Sequence, residues 1–176
     1  IMLDMYPKGP IAKARHDPQS NPLDTLAWFD AGNYREKIHR IYQNLWIQGG
    51  VRDRVFFAAQ PELAPTLSKV PLVHWHWRHV YVSSTHQMLP RRLNHVFDRA
   101  QDRQVTGVLL HTKFLPDIMA KSQEECIRRQ HFENSRLYTG YHQQLAQGPD
   151  LWCPQSQRYD GWAQLVALGL MSKGDW

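Results

Sequence analysis

The residues best equipped for chemistry fall in two apolar segments, 69–86 and 106–115, which hold five of the ten histidines: His74, His76, His79, His86 and His111. In the second, T-G-V-L-L-H-T-K-F-L, His111 and Lys113 stand two residues apart. Residues two apart on a strand share a face. A neutral imidazole binds a divalent cation and an ammonium beside it meets a phosphate oxygen, so this pair could hold a metal–diphosphate unit. A hydrogen-bonded core histidine fits the same spacing. His74 and His76 also stand two apart, but two imidazoles fall short of the four ligands of a closed zinc site, and the polar face of a half-buried strand accounts for them equally. Ser83, Ser84, Thr85 and His86 place hydroxyls and an imidazole where a strand gives way to a loop, a common position for substrate contacts. Asp4, in L-D-M-Y, stands at the end of another apolar run. It could accept a proton from a hydroxyl or simply cap the strand end. The chain has no G-x-S-x-G, no phosphate-binding G-x-x-x-x-G-K-[ST] and no G-x-G-x-x-G.

Strands must carry these groups. Apolar runs predict strands at 1–5, around Val55-Phe56-Phe57, at 70–73 and at 105–112, with alternating residues over 74–82. A short helix is expected over 25–31, capped by Asp24 and ended by Gly32. Residues 33–50 are ambiguous: Tyr34, Ile38, Ile41, Tyr42 and Leu45 have near-helical spacing, which Gly49-Gly50 interrupts. Helices are expected over 117–132, with Pro116 in the first turn, and over 135–147, stopped by Gly148-Pro149. A last helix is expected over 161–168, between Asp160 as cap and Gly169.

A chain of 176 residues fits one domain, and 42% hydrophobic with 21% charged residues excludes a disordered polymer. The net charge of +5 favours a phosphate-bearing ligand, a nucleic acid or an anionic membrane surface. The densest basic cluster, Arg91, Arg92, Arg99 and Arg103, is offset by Asp98 and Asp102 and reads first as a solvated face. Seven tryptophans supply core bulk or stacking platforms. The two cysteines, Cys126 and Cys153, form no C-x-x-C pair, which points to a reducing, cytoplasmic setting. No apolar run is long enough for a transmembrane helix. The chain enters a strand at once, so it is expected to begin inside a larger domain, with part of any site outside these residues.

The ordered segments L-D-M-Y-P-x-G-P, K-V-P-L-V-x-W, Y-V-x-S-T-H, G-V-L-L-H-x-K-F-L and R-Q-H-F-E-N-S, with the closing Q-L-V-A-L-G-L-M, resemble the C-terminal part of bacterial family-2-like glycosyltransferases. The resemblance spans nearly the whole chain and is most specific at 69–75, 84–86 and 107–115. It implies an α/β fold of the GT-A type, a partial Rossmann-like mixed sheet with C-terminal helices, and residues 1–176 as the C-terminal portion of one catalytic domain. It implies transfer of a sugar from a nucleotide-sugar donor to an acceptor hydroxyl on a glycan or other molecule, with Mn²⁺ or Mg²⁺. By the same resemblance, His111 matches a late metal-binding histidine and Lys113 meets the diphosphate. Ser84, Thr85 and His86 contact substrate, and Asp4 is the candidate base. Such enzymes hold the metal with an Asp-x-Asp motif, which this sequence lacks. The chain also departs from the family at His76-Trp77-Arg78-His79, where a short Arg/Pro/Gly turn is usual. Peripheral membrane association is compatible with this reading, and nucleic acid is not expected as a partner. The alternative is a non-enzymatic module that binds nucleic acid or another anionic polymer through the arginine cluster and tryptophans.

Overall fold

The computed structural model describes residues 1–97, 105–128, 141 and 143–173. It is a mixed α/β structure whose described strands pair in four two-stranded sheets. Strand β1 (Met2–Asp4) pairs in parallel with β7 (Leu109–His111), which sets Asp4 opposite His111. Between them in sequence come β2 (Trp28–Asp30), the hairpin β3 (Tyr34–Ile38) with β4 (Leu45–Gly49), and the hairpin β5 (Val80–Ser83) with β6 (Gln87–Leu89). Strand β8 (Ser156–Arg158) closes antiparallel on β2. Helices among the described residues include α1 (Pro22–Thr25), α2 (Ile118–Arg128) and α3 (Trp162–Ala167).

Single backbone bonds stitch the small sheets together. The Leu67 amide donates to the Ile47 carbonyl, and the Leu67 carbonyl accepts from Met2. Leu67 thereby bridges β4 to β1. Tyr6 and Trp28 exchange both of their backbone bonds, which joins the end of β1 to β2. Strand β1 is thus central, and its alternation decides what each side receives. Leu3 and Met5 are fully buried with Leu26, Phe29, Leu165 and Leu170, the last two from α3 and its C-terminal turn. Met2 and Asp4 face the other way.

Where the structure departs from the sequence-based expectations, local reasons are visible. The expected helix over 25–31 gives way to α1 and then β2. Asn21 caps α1, its side chain accepting from the Leu23 amide at 3.0 Å, with Pro22 in the first helical position. Residues 33–50 form the β3–β4 hairpin rather than a helix. A spacing of four serves either period, because Tyr34 and Ile38 also share a strand face. Gly49 decides the matter: a Cβ there would collide with the Asn33 carbonyl oxygen, and its φ of 140° is open to glycine. Val55-Phe56-Phe57 is not a strand. The chain leaves β4 through Gly50, at φ 59°, into a π-helical turn, Arg52–Phe56, that stacks Phe56 on Tyr141 at 4.2 Å and on Phe114 at 5.5 Å. Residues 70–73 make no ladder: Val70 is buried, while Leu72 is 90% exposed. The alternation over 74–82 resolves into a turn followed by β5.

The expected strands at 1–5 and 105–112 appear as β1 and β7, and the expected helix over 161–168 as α3. Its cap is Gly161 rather than Asp160, whose amide instead donates to Gln164 Oε1 at 2.9 Å. Gly169, at φ 71°, ends α3, and the Leu170 amide reaches back to the Leu165 carbonyl at 2.9 Å. Helix α2 covers the first part of the expected 117–132. Residues 129–132 and most of the expected helix 135–147 lie outside the described residues, though Tyr141 and residues 143–146 are helical. Among the described residues, no helix is long and apolar enough to cross a membrane.

Candidate functional site

The parallel pairing of β1 with β7 builds the site's floor. Asp4, fully enclosed, accepts from Arg52 Nε at 2.6 Å and Nη2 at 3.0 Å. His111 Nδ1 donates to Asp4 Oδ1 at 2.6 Å. That bond leaves Nε2 as the imidazole's second functional atom. Arg52 reaches Asp4 because Gly49, the last residue of β4, and Gly50 after it turn the chain back over the strand end. Burial alone would raise the Asp4 carboxyl. The Arg52 guanidinium and the His111 bond overcome it and hold Asp4 well below the usual carboxylate range.

Above this floor opens a cavity of ≈ 530 Å³. His111, the last residue of β7, and Lys113, in the turn beyond the strand, both line it, and Arg52, Lys69 and His86 join them. Phe57 and Tyr141 supply aromatic walls. Lys113 Nζ lies 4.2 Å from the centre of the Tyr141 ring, within cation–π range. Burial pushes the Lys113 ammonium down to about 8, and the Arg52 charge adds to the effect while Asp4 partly opposes it. Burial and Arg52 likewise lower Lys69, whose Nζ donates to Thr85 Oγ1 at 2.8 Å. His86 Nδ1 donates to the Ser68 carbonyl at 2.7 Å. Burial lowers His86; the Ser68 bond opposes this, and Lys69 and Arg52 lower it further.

The cavity is therefore lined by three cationic side chains and two imidazoles, and none of its described lining residues is acidic. Cations whose affinity for protons is lowered by burial and by each other gain most from an anion placed among them. A phosphate or diphosphate has the size, charge and acceptor count for that position.

Of the residues proposed from sequence, the structure gathers Asp4, His86, His111 and Lys113 at one place. Thr85 touches the site through Lys69. Ser84 is exposed, with φ at 46°, and turns the chain between β5 and β6 away from the cavity; Ser83 lines it instead. His74 and His76 are exposed in the turn before β5, His79 is only partly buried there, and none of the three lines the cavity. Sequence reasoning missed Arg52 and Lys69. Arg52 opens an Arg-Asp-Arg triplet that reads as solvated, and the signal that could have found it is the Gly49-Gly50 pair, separated from it by Val51. Arg99 and Arg103 lie outside the described residues, so the four-arginine cluster is described only at Arg91 and Arg92, both exposed.

A divalent metal does not fit the described part of this site. The only carboxylate at hand, Asp4, already accepts three hydrogen bonds, His111 is a lone imidazole ligand, and Arg52, Lys69 and Lys113 oppose a bare cation. No cluster of three metal-binding side chains occurs among the described residues.

No family model matches the chain, and neither a curated protein nor a solved structure does. The geometry and the sequence resemblance stand by themselves.

Proposed function

We propose that the chain carries the diphosphate-binding part of a glycosyltransferase of GT-A type, which transfers a sugar from a nucleotide-sugar to an acceptor hydroxyl. The observation that supports this reading is the convergence of Arg52, Lys69 and Lys113, with His86 and His111, on one cavity above the end of β1 and β7. In the reaction, the bond from the anomeric carbon to the donor diphosphate breaks and a bond to the acceptor oxygen forms. The acceptor's proton passes to a base, and the electron pair leaves with the diphosphate. Charge grows on that leaving group, and preorganised cations stabilise it more in the transition state than in the ground state. Arg52 is held rigidly by Asp4, so no reorganisation is needed when the charge develops. Tyr141 and Phe57 keep bulk water from the cations and strengthen their effect.

Asp4 has a positioning role here. Its oxygens accept from Arg52 and His111, and a carboxyl held so acidic is a weak base for an acceptor hydroxyl. The described lining does not fit the Mn²⁺ or Mg²⁺ of this enzyme class, and His111 lines the cavity with no second ligand cluster beside it among the described residues.

The test is calorimetric titration of uridine and guanosine diphosphate, with inorganic diphosphate as the size control, into the intact chain and into Lys113→Met. The reading requires a nucleoside diphosphate to bind the intact chain and the variant to lose about tenfold or more in affinity, as expected for one hydrogen bond to a charged group. Equal titration curves for the two proteins would remove Lys113 from the site.

A further inference from the structure

The segment between Lys69 and Ser83 leaves the cavity wall and returns to it, and in between it exposes apolar side chains that a soluble surface seldom carries together. Leu72 is 90% exposed, Trp77 76% and Trp75 58%. The hairpin that follows continues the pattern: Val80 and Val82 point outward from β5, and Leu89, paired in register with Val80, joins them from β6. The tryptophans do not dangle. The His79 amide donates to the His76 carbonyl at 2.8 Å, closing a turn. The Trp75 ring meets His79 edge-on at 6.2 Å, and His76 stacks on Trp77 at 5.7 Å. The turn is thus braced by its own rings and holds both indoles out.

Arginines stand within and just beyond this apolar segment. The Arg78 guanidinium lies 4.6 Å from the centre of the Trp77 ring. Arg91 and Arg92, both exposed, follow Leu89 after one residue, in the short 3-10 turn Arg91–Asn94. Indoles prefer the boundary between lipid headgroups and acyl chains, aliphatic side chains enter the acyl region, and arginines bind anionic headgroups. A nucleic acid would use the indoles as stacking platforms but has no use for Leu72, Val80, Val82 and Leu89. A second copy of the same face would bring Arg78, Arg91 and Arg92 of both copies into one interface, and residues 69–97 hold no carboxylate to offset them.

We infer that residues 71–82, with Leu89, form a docking surface for an anionic lipid bilayer, which Trp75 and Trp77 enter and on which Arg78, Arg91 and Arg92 bind headgroups. The inference does not depend on the transferase reading. Because Lys69 and Ser83 belong to both features, docking sets the cation-lined cavity close to the membrane surface.

The test is co-sedimentation of the intact chain with vesicles of pure phosphatidylcholine and with vesicles that also contain phosphatidylglycerol, at low and high salt. Partition onto the anionic vesicles at low salt is expected, with loss at high salt as the charges are screened. The double variant Trp75→Ser/Trp77→Ser should bind the anionic vesicles about tenfold or more weakly, the change expected for withdrawing buried ring area from lipid. Arg91→Ala and Arg92→Ala should each weaken binding by about fivefold at low salt. All four residues are exposed, so diphosphate binding and thermal unfolding of these variants should match the intact chain, which confirms that they fold. Failure of the intact chain to bind anionic vesicles, binding that ignores the tryptophan substitutions, or tryptophan-dependent dimerisation in sedimentation would each overturn the inference. Loss of diphosphate binding with vesicle binding intact would instead count against the transferase reading alone.

Discussion

Two arginines of the same π-helical turn, two residues apart, meet two aspartates at the ends of adjoining strands, and the outcomes differ. Arg52 grips Asp4 at the end of β1 through Nε at 2.6 Å and Nη2 at 3.0 Å. Arg54 grips Asp30 at the end of β2 through Nε at 3.2 Å and Nη2 at 2.9 Å. Around Asp30 the chain closes in: the Tyr6 hydroxyl donates to its carboxylate, Ser156 Oγ lies 2.8 Å from that hydroxyl, and Arg54 Nη2 also donates to the Leu151 carbonyl at 2.6 Å. Burial, followed by the Asp30 charge, raises the Tyr6 hydroxyl far above its ordinary value, so it remains a donor. Around Asp4 the third partner is an imidazole with a second nitrogen to offer, and Arg52 still faces an open cavity. The same ion pair is a structural clasp where polar neighbours seal it and part of a binding site where one side is left open. Charge and burial alone do not separate the two; the neighbouring space does.

The largest effects should come from breaking each clasp. Arg52→Met and Arg54→Met each leave a buried carboxylate without its cation and should cost about 3–5 kcal/mol in unfolding free energy, measured by urea titration. They should part in function. Under conditions where both remain folded, Arg52→Met loses nucleoside diphosphate binding and Arg54→Met keeps it. Equal loss of binding would erase the distinction between the two pairs.

Next is Lys113→Met, through its pH dependence. The folded-state ammonium loses its proton near pH 8, whereas in the unfolded chain it does so near the ordinary 10.5. Between those values the unfolded state holds the extra proton, so stability rises with pH through this window. Diphosphate binding, which uses the charged form, weakens as pH climbs through about 8. Urea titrations and calorimetry at several pH values should show both trends in the intact chain and a smaller trend in Lys113→Met.

A smaller effect is expected at Tyr6. Tyr6→Phe removes the donor to Asp30 and should cost about 1–3 kcal/mol of stability by urea titration, with diphosphate affinity unchanged. The smallest contrast lies at the β5–β6 turn. Ser84→Ala, at an exposed position outside the cavity, should leave affinity unchanged in calorimetry, whereas Ser83→Ala and His86→Ala should each weaken it by a few-fold, on the order of one ordinary hydrogen bond.

How much of this was legible in the sequence follows from which signals are local. His111 and Lys113 were legible as a pair and do line one cavity, but strand alternation is not what joins them: β7 ends at His111 and a turn carries Lys113 there. Asp4 was legible as a strand-end carboxylate, but its partners were not. The parallel pairing of β1 with β7 joins residues more than a hundred positions apart, and no period in the chain announces it. Residues 33–50 failed for a different reason: Tyr34 and Ile38 satisfy both the helical and the strand repeat, and Gly49, which settles the choice, acts through close contact with Asn33. The Val55–Phe57 run was misread because three adjacent apolar residues suit a buried strand and a tight helical turn alike. The exposed tryptophans illustrate the limit of composition. Seven indoles read as core bulk or stacking platforms, and the count does not say which; Trp75 and Trp77 lie outside the core.

The central claim is that the cavity over the β1–β7 strand ends takes a phosphate group through Arg52, Lys69 and Lys113. Calorimetric titration of a nucleoside diphosphate into the intact chain at pH 6.5 and at pH 9 tests it most directly. The account predicts binding at pH 6.5 that weakens by about tenfold or less at pH 9, as expected when one of several cations loses its charge, with that difference reduced in Lys113→Met. Absence of binding at pH 6.5, or affinity that does not change with pH in the intact chain, would contradict it.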